Sequence, residues 1–237
     1  MVDSYAARLT ETLPAVLDRI ARALTAAGRE AGSVRLVAVT KSHPIEAVEA
    51  ALAAGLTDLG ENRVEELESK VTTFGADVAT WHMIGHLQSR KVRRAVSVAD
   101  VIHSVDSFRL AERISAAALE DGRVVTVLAQ VNTSSEASKS GFGLDEAMEQ
   151  IHTMAELPGI RVNGLMTMAP FVEDEVVLGT AFASLRRLAE RLGDTTDRIG
   201  GELSMGMTND LEIAIREGST MVRIGTALFG KRPGSAL

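Results

Sequence analysis

Lys41 closes the apolar run Leu36-Val37-Ala38-Val39 and sits three residues before Pro44. Only five of the 25 basic residues are lysines, so the chain mostly decorates its surface with arginine and Lys41 stands out. Two further runs could face it. Leu203-Ser204-Met205-Gly206-Met207-Thr208 and Arg223-Ile224-Gly225-Thr226 both read as strand exits. Gly206 and Gly225 would let backbone amides approach an anion with no Cβ in the way. Ser204 and Thr226 offer hydroxyl donors, and a helix expected after Thr208 offers unpaired amides and a positive dipole end. Arg223 lies inside a strand pattern, where a permanent charge needs a partner. It either pairs with a core carboxylate such as Glu61 or donates to a ligand.

A lysine opposite an anion pocket suits a phosphorylated aldehyde held as a Schiff base. Imine formation needs the neutral amine, which burial and nearby positive groups favour. Pyridoxal phosphate is the obvious candidate, with an arginine or aspartate at its ring nitrogen. A Schiff-base aldolase that uses no cofactor is the competitor. His82 and His86, four apart in Trp81-His82-Met83-Ile84-Gly85-His86, would share one face of a strand, yet no third metal ligand accompanies them. Packing in the core or at the rim is the expectation for both, and solvent exposure for His43. Lys139 falls in a loop on the expected active face and reads as a solvated side chain, with a transient aldehyde contact as the alternative.

These residues need a scaffold. Tyr5, Leu9, Leu13, Val16, Leu17, Ile20 and Leu24 recur at helical spacing, so the chain should open with a helix that Pro14 kinks or splits and that Gly28 and Gly32 end. Short apolar runs then alternate with helical segments. Strands are expected at Arg35–Lys41, Asp58–Asn62, Trp81–His86, Asp100–Val105, Val124–Asn132, Gly164–Met168, Glu202–Met205 and Met221–Gly225. Helices are expected at Pro44–Ala54, Val64–Val71, Gln88–Val96, Phe108–Leu119, Leu144–Leu157, Asp174–Leu192 and Asn209–Glu217, the last capped by Thr208. About eight strands alternating with helices imply an α/β fold with a parallel sheet. A single (β/α)8 TIM barrel fits the length better than an open doubly wound sheet, and no G-x-G-x-x-G follows a strand. On this reading residues 1–34 form a helical extension, 35–230 the barrel and 231–237 a loosely held tail. Barrels place their active face at the strands' C-terminal ends, and the exits of the last two strands often bind phosphate. Lys41, Ser204, Gly206, Gly225 and Thr226 all fall there.

Composition narrows the classes. With 46% apolar residues and a charge of −7, the chain can bury a large core and has no long basic tract for nucleic acid. The cluster Arg90-Lys91-Val92-Arg93-Arg94 reads as a solvated helix face. There is no cysteine, which suits a reducing, cytoplasmic setting. No apolar run is long enough to span a bilayer, and Met1–Pro14 lacks the pattern of a secretion signal.

The runs VAVTKSHP, LGENRVEEL, WHMIGHLQSRK, HSVDS, KSGFG, GLMTMAP and SMGMTNDLEIAIREGSTMVRIGTALFG together resemble the pyridoxal phosphate homeostasis proteins, in family order from Leu36 to Gly230. The resemblance implies a fold-type III barrel like the N-terminal domain of alanine racemase. It implies that Lys41 forms the internal aldimine with pyridoxal 5'-phosphate. Ser204, Gly206, Gly225 and Thr226 would surround the phosphate, Arg223 would contact the pyridine nitrogen, and Asn62 would lie beside the ring. It further implies a role in intracellular cofactor homeostasis with no catalytic residue or metal, a monomeric state, and PLP-dependent apoenzymes as candidate recipients. The enzymatic alternative is a weak amino-acid racemase of the alanine racemase type. That chemistry needs a second base, which in alanine racemase is a tyrosine from a further domain, whereas the single tyrosine here is Tyr5.

Overall fold

The computed structural model describes residues 4–134 and 140–231. The loop lysine Lys139 and residues 232–237 of the expected tail lie outside them. The helices are α1 (Tyr5–Ala26), α2 (Ile45–Ala53), α3 (Val64–Phe74), α4 (Val92–Val98), α5 (Phe108–Glu120), α6 (Leu144–Ala155), α7 (Glu175–Gly193), α8 (Leu211–Arg216) and α9 (Thr226–Phe229). The strands are β1 (Arg35–Val39), β2 (Asp58–Glu61), β3 (Thr80–Met83), β4 (Val101–Val105), β5 (Val125–Asn132), β6 (Phe142–Gly143), β7 (Ile160–Met166), β8 (Glu202–Ser204) and β9 (Met221–Ile224). All pairings are parallel, in the order β4-β3-β2-β1-β9-β8-β7-β5, and a β4–β5 pairing closes the ring. The two-residue β6 attaches to the outer end of β5. The expected barrel is therefore present.

Each barrel strand divides its side chains between two buried environments, as period-two alternation requires. Ala38, Leu59, Val127, Ala129 and Leu165 point outward into the main core beneath the helices. Val101, Leu128 and Met166 form a separate small cluster inside the barrel. Val37 and Val39 also face inward: a Cβ on Gly60 would stand 3.0 Å from Val37 Cγ1 and 3.5 Å from Val39 Cγ2. Gly60 is thus small because the interior has no room there.

α1 continues through Pro14 as one helix, so Pro14 does not start a second one. Pro14 lies on the exposed side, where water can take the carbonyl that loses its partner. Ser4 caps the helix by accepting from the Ala7 amide, and Leu9, Val16, Ile20 and Leu24 are buried as the spacing predicts. Leu17, assigned to the same stripe, is 47% exposed. The last helix before β9 starts at Leu211, two residues later than expected. Its N-cap residue is Asp210 in place of Thr208, and Asp210 makes no side-chain cap bond to α8. The 3-10 turn Ser89–Lys91 precedes α4, so Gln88–Val96 is not one helix. α9 and β6 were not expected. β7 begins at Ile160, ahead of the expected Gly164.

Gly164 explains the last difference. It sits inside β7 at φ +148°, where the register against β5 shifts, and a Cβ would lie 2.0 Å from the Glu202 carbonyl oxygen. It is a bulge within the strand, not its start. Gly164→Ala should lower the urea midpoint, with about 1–3 kcal/mol lost to backbone conformation before the clash is counted. Gly193→Ala, at a glycine with nothing within 4 Å of its missing Cβ, should leave the midpoint nearly unchanged.

Candidate functional site

Lys41 follows β1 in a tight turn closed by the His43 amide donating to the Thr40 carbonyl at 3.0 Å. Thr40 is buried on the outer face, where its hydroxyl donates to Glu61 Oε1 at 2.5 Å. Lys41 is half-buried in this turn, two residues beyond the last strand residue Val39. α3 holds this turn twice. Lys70 Nζ donates to the Thr40 carbonyl at 2.9 Å, and Glu66 Oε2 accepts from the Ser42 amide at 2.7 Å. Ser42 has φ +60°, the one non-glycine residue with positive φ among the described residues. Such a conformation costs about 1–3 kcal/mol and persists only where surroundings impose it.

Beneath the turn, Lys70 Nζ and Glu61 Oε1 form a buried ion pair at 2.5 Å. Burial raises the Glu61 carboxyl, and the Lys70 charge beside it opposes that shift. The expectation that Glu61 could pair with Arg223 is corrected here. Glu61 points outward with Leu59 into the layer under α3, whereas Arg223 registers with inward-facing Val37.

Arg223 is 5% exposed. Its Nη1 donates to the Ser204 carbonyl at 2.7 Å and to Ser204 Oγ at 2.6 Å, and its Nη2 donates to the Thr167 carbonyl at 3.0 Å. Burial pushes this guanidinium down to about 10, with Asp210 opposing the shift, so it stays charged at neutral pH. The Arg223 amide donates to the Gly206 carbonyl at 2.9 Å, and Gly206 has φ +97°. A Cβ there would meet Ala214 Cβ at 2.6 Å, so only glycine lets this loop lie against α8. Asp210 ties the loop by accepting from the Met207 amide at 2.5 Å, and burial raises its carboxyl. Gly225 caps α9, with its missing Cβ 3.1 Å from the Val39 carbonyl oxygen, and Thr226 is exposed at the first turn. The first amides of a helix have no intrahelical acceptor. The exits of β1, β8 and β9 are therefore neighbours. Lys41, Ser204, Gly206, Arg223, Gly225 and Thr226 fall on one arc of the barrel mouth. Asn62 follows β2 on the other side of β1, half-buried, with its backbone pressed against Gly85. Ser204 is fully buried, and its hydroxyl engages Arg223 and His103.

The histidines separate. His82 is fully buried on β3, while His86 lies beyond the strand, exposed, with Nδ1 3.3 Å from Asp106. They do not share a strand face. His43, expected in solvent, is 7% exposed: Tyr5 O–H meets its Nδ1 at 3.0 Å and Phe229 flanks its ring. The basic cluster is an exposed, ion-paired face, with Lys91 on Glu65, Arg93 on Glu120 and Arg94 on Glu68. Sequence reasoning missed Lys70, Glu66 and His103. Lys70 did leave a signal, since it follows Val64 and Leu67 at the step of their apolar stripe. His103 alternates with inward-facing Val101 in a strand that is otherwise mostly apolar.

The family model for the alanine racemase N-terminal domain matches residues 15–233. The pyridoxal phosphate homeostasis protein of Pseudomonas aeruginosa is 41% identical over 224 residues, covering 94% of this chain and 96% of that one. A crystal structure of an unknown protein from Bifidobacterium adolescentis superposes with a TM-score of 0.91 at 44% identity, covering 97% of both chains. The structure of PipY from Synechococcus elongatus with PLP bound gives a TM-score of 0.79 at 37% identity, covering 89% of this chain and all of that one (100%).

Two stability measurements follow from the buried charges. Lys70→Ala leaves the Glu61 carboxylate unpaired and should cost about 3–5 kcal/mol in urea unfolding, more than the paired change Glu61→Gln with Lys70→Met. His103 is held well below the ordinary histidine value by burial and then by His82, Arg223 and Arg35. As pH falls, the unfolded chain takes up that proton first, so this residue withdraws stability toward acid. The raised carboxyls of Glu61 and Asp210 act in the opposite sense. The loss of stability between about pH 7.5 and about pH 5.5 should therefore be smaller in His103→Asn than in the wild type.

Proposed function

We infer the function from the family: the chain belongs to the alanine racemase N-terminal domain family and, within it, to the pyridoxal phosphate homeostasis proteins. We propose that it binds pyridoxal 5'-phosphate and serves intracellular cofactor homeostasis as a carrier, not an enzyme. The observation that carries this reading is the pairing of β1 with β9, Val37 against Arg223, which sets an amine and a buried guanidinium at adjacent exits.

The donor set fits that group. When bound, pyridoxal phosphate supplies an aldehyde that condenses reversibly with a primary amine and releases water. Lys41 is our assignment for the Schiff-base lysine, held by the Thr40–His43 turn that α3 clamps. We assign the phosphate to the amides around Gly206, Gly225 and Thr226, with the Thr226 hydroxyl beside them. Ser204, expected at the phosphate, has its buried hydroxyl engaged by Arg223 and His103, so we assign it to holding Arg223, and Asn62 would border the ring from the β2 exit. Arg223 would hold the ring nitrogen; a guanidinium only donates, so it would leave that nitrogen unprotonated and the ring a weak electron sink.

The second base of a racemase also lacks a candidate among tyrosines, because the Tyr5 hydroxyl is engaged by His43. This supports the carrier reading over a weak racemase. We place the binding unit in residues 35–230, preceded by the helical extension that carries α1. We further propose a cytoplasmic monomer that passes the cofactor to PLP-dependent apoenzymes. No helix among the described residues is long and apolar enough to cross a membrane.

Borohydride treatment of the cofactor-loaded protein should fix the cofactor covalently on Lys41, seen by peptide mass, and Lys41→Ala should abolish that adduct while keeping some phosphate-dependent binding. In deuterated water, an amino-acid panel should show no α-carbon exchange at enzyme-like rates; rapid incorporation ends the carrier reading.

A further inference from the structure

The barrel interior holds a line of polar side chains that none of the roles above uses. Below Arg223, Ser204 Oγ lies 3.0 Å from His103 Nδ1. His103 Nε2 lies 2.8 Å from His82 Nδ1, with the two rings edge to face at 5.0 Å. His82 Nε2 lies 3.0 Å from Asp58 Oδ1. Both histidines and Ser204 are fully buried. Asp58 opens β2 at the opposite end of the barrel, where its side chain is 20% exposed beside Arg35. The line thus joins a carboxylate at the barrel floor to the guanidinium at the mouth.

Donor accounting leaves one arrangement that satisfies every atom. Arg223 can only donate, so Ser204 Oγ accepts from it. The serine hydrogen then goes to His103 Nδ1, since a buried hydroxyl hydrogen without an acceptor is costly. His103 must carry its proton on Nε2 and donate to His82 Nδ1. His82 in turn carries its proton on Nε2 and donates to the Asp58 carboxylate. Reversing the rings while both stay neutral would aim a lone pair of His82 at that carboxylate. Every donor therefore points from cation to anion, and both rings are neutral. On the other side, the Arg223 Nε hydrogen and one Nη2 hydrogen have no hydrogen bond within the described residues, which leaves them for a ligand.

We propose that His82 and His103 are positioning residues, forming with Asp58 and Ser204 a one-way hydrogen-bond relay that fixes the guanidinium of Arg223 from below and couples it to the barrel floor. The part of this proposal that concerns the ring nitrogen rests on the cofactor reading above; the relay itself does not. Asp210 and Arg35 are the other charges that act on this line, at its mouth and its floor respectively.

Nitrogen-15 spectra of the cofactor-free protein near neutral pH test the relay directly. Both rings should be neutral Nε2–H tautomers. Asp58→Asn should move the His103 ring nitrogens and the Arg223 Nε signal, and should weaken pyridoxal phosphate binding roughly 3- to 10-fold, what one hydrogen bond contributes. Arg161→Gln, an exposed change on β7, should do neither. If Asp58→Asn does not fold, His82→Gln takes its place with the same readouts. An Nδ1–H tautomer or an imidazolium at either ring overturns the proposal. So does a variant that leaves the Arg223 signal and the affinity at wild-type values. If the wild type binds no pyridoxal phosphate, the cofactor reading falls, while the tautomers and the Arg223 signal still decide the relay.

Discussion

A permanent positive charge inside a closed barrel is the constraint around which this molecule is arranged. Arg223 cannot shed its proton at neutral pH, and its position in β9 turns it toward the interior. Three acceptors meet it there: the carbonyls of Ser204 and Thr167 and the Ser204 hydroxyl. These come from the ends of β8 and β7, so the charge stitches three consecutive strand exits at the mouth. The loop at Gly206 is held by the same residue through its amide. A wall that would otherwise be assembled from independent loops is thereby referenced to one side chain.

The adjoining stretch of wall, at β1 and β2, is organised by a second charge, on the outer side of the sheet. Lys70 reaches from α3 to Glu61 and to the carbonyl just before Lys41, while Glu66 from the same helix takes the Ser42 amide. The strain at Ser42 is local to the residue after the amine. It is imposed by a helix that never enters the mouth, so the amine's placement depends on packing between β2 and α3.

Much of this could be read from the residues. The alternation of short apolar runs and helical stretches gave the barrel, because parallel neighbours need crossovers and eight such units close on themselves. The glycine and hydroxyl residues at two exits marked the mouth. Other features resisted for physical reasons. Pro14 signals a break by its chemistry, but its exposed placement, which lets the helix continue, is a tertiary fact. Gly164 reads as a boundary because its positive φ is invisible in a one-letter code. The partner of Arg223 could not be chosen because Glu61 and Arg223 stand on opposite sheet faces, and a shift of one residue in register would exchange them. His43 read as exposed because the ring that covers it comes from Tyr5, thirty-eight positions away in sequence.

α1 is fastened to the far end of the sequence. Arg8 and Thr12 donate to the carbonyls of Phe229 and Leu228, Arg19 to Thr208, and Arg29, just past the helix, to Ile215 and Ser219. During synthesis these donors leave the ribosome some two hundred residues ahead of their acceptors. β1 waits equally long for β9. A nascent chain can build the intervening strand–helix units as they emerge and can pack α2 on α1 early, but the part of α1 that packs on α8 and α9 stays uncovered until those helices are made. That late-covered part of the first helix is where a chaperone would find the unfinished protein.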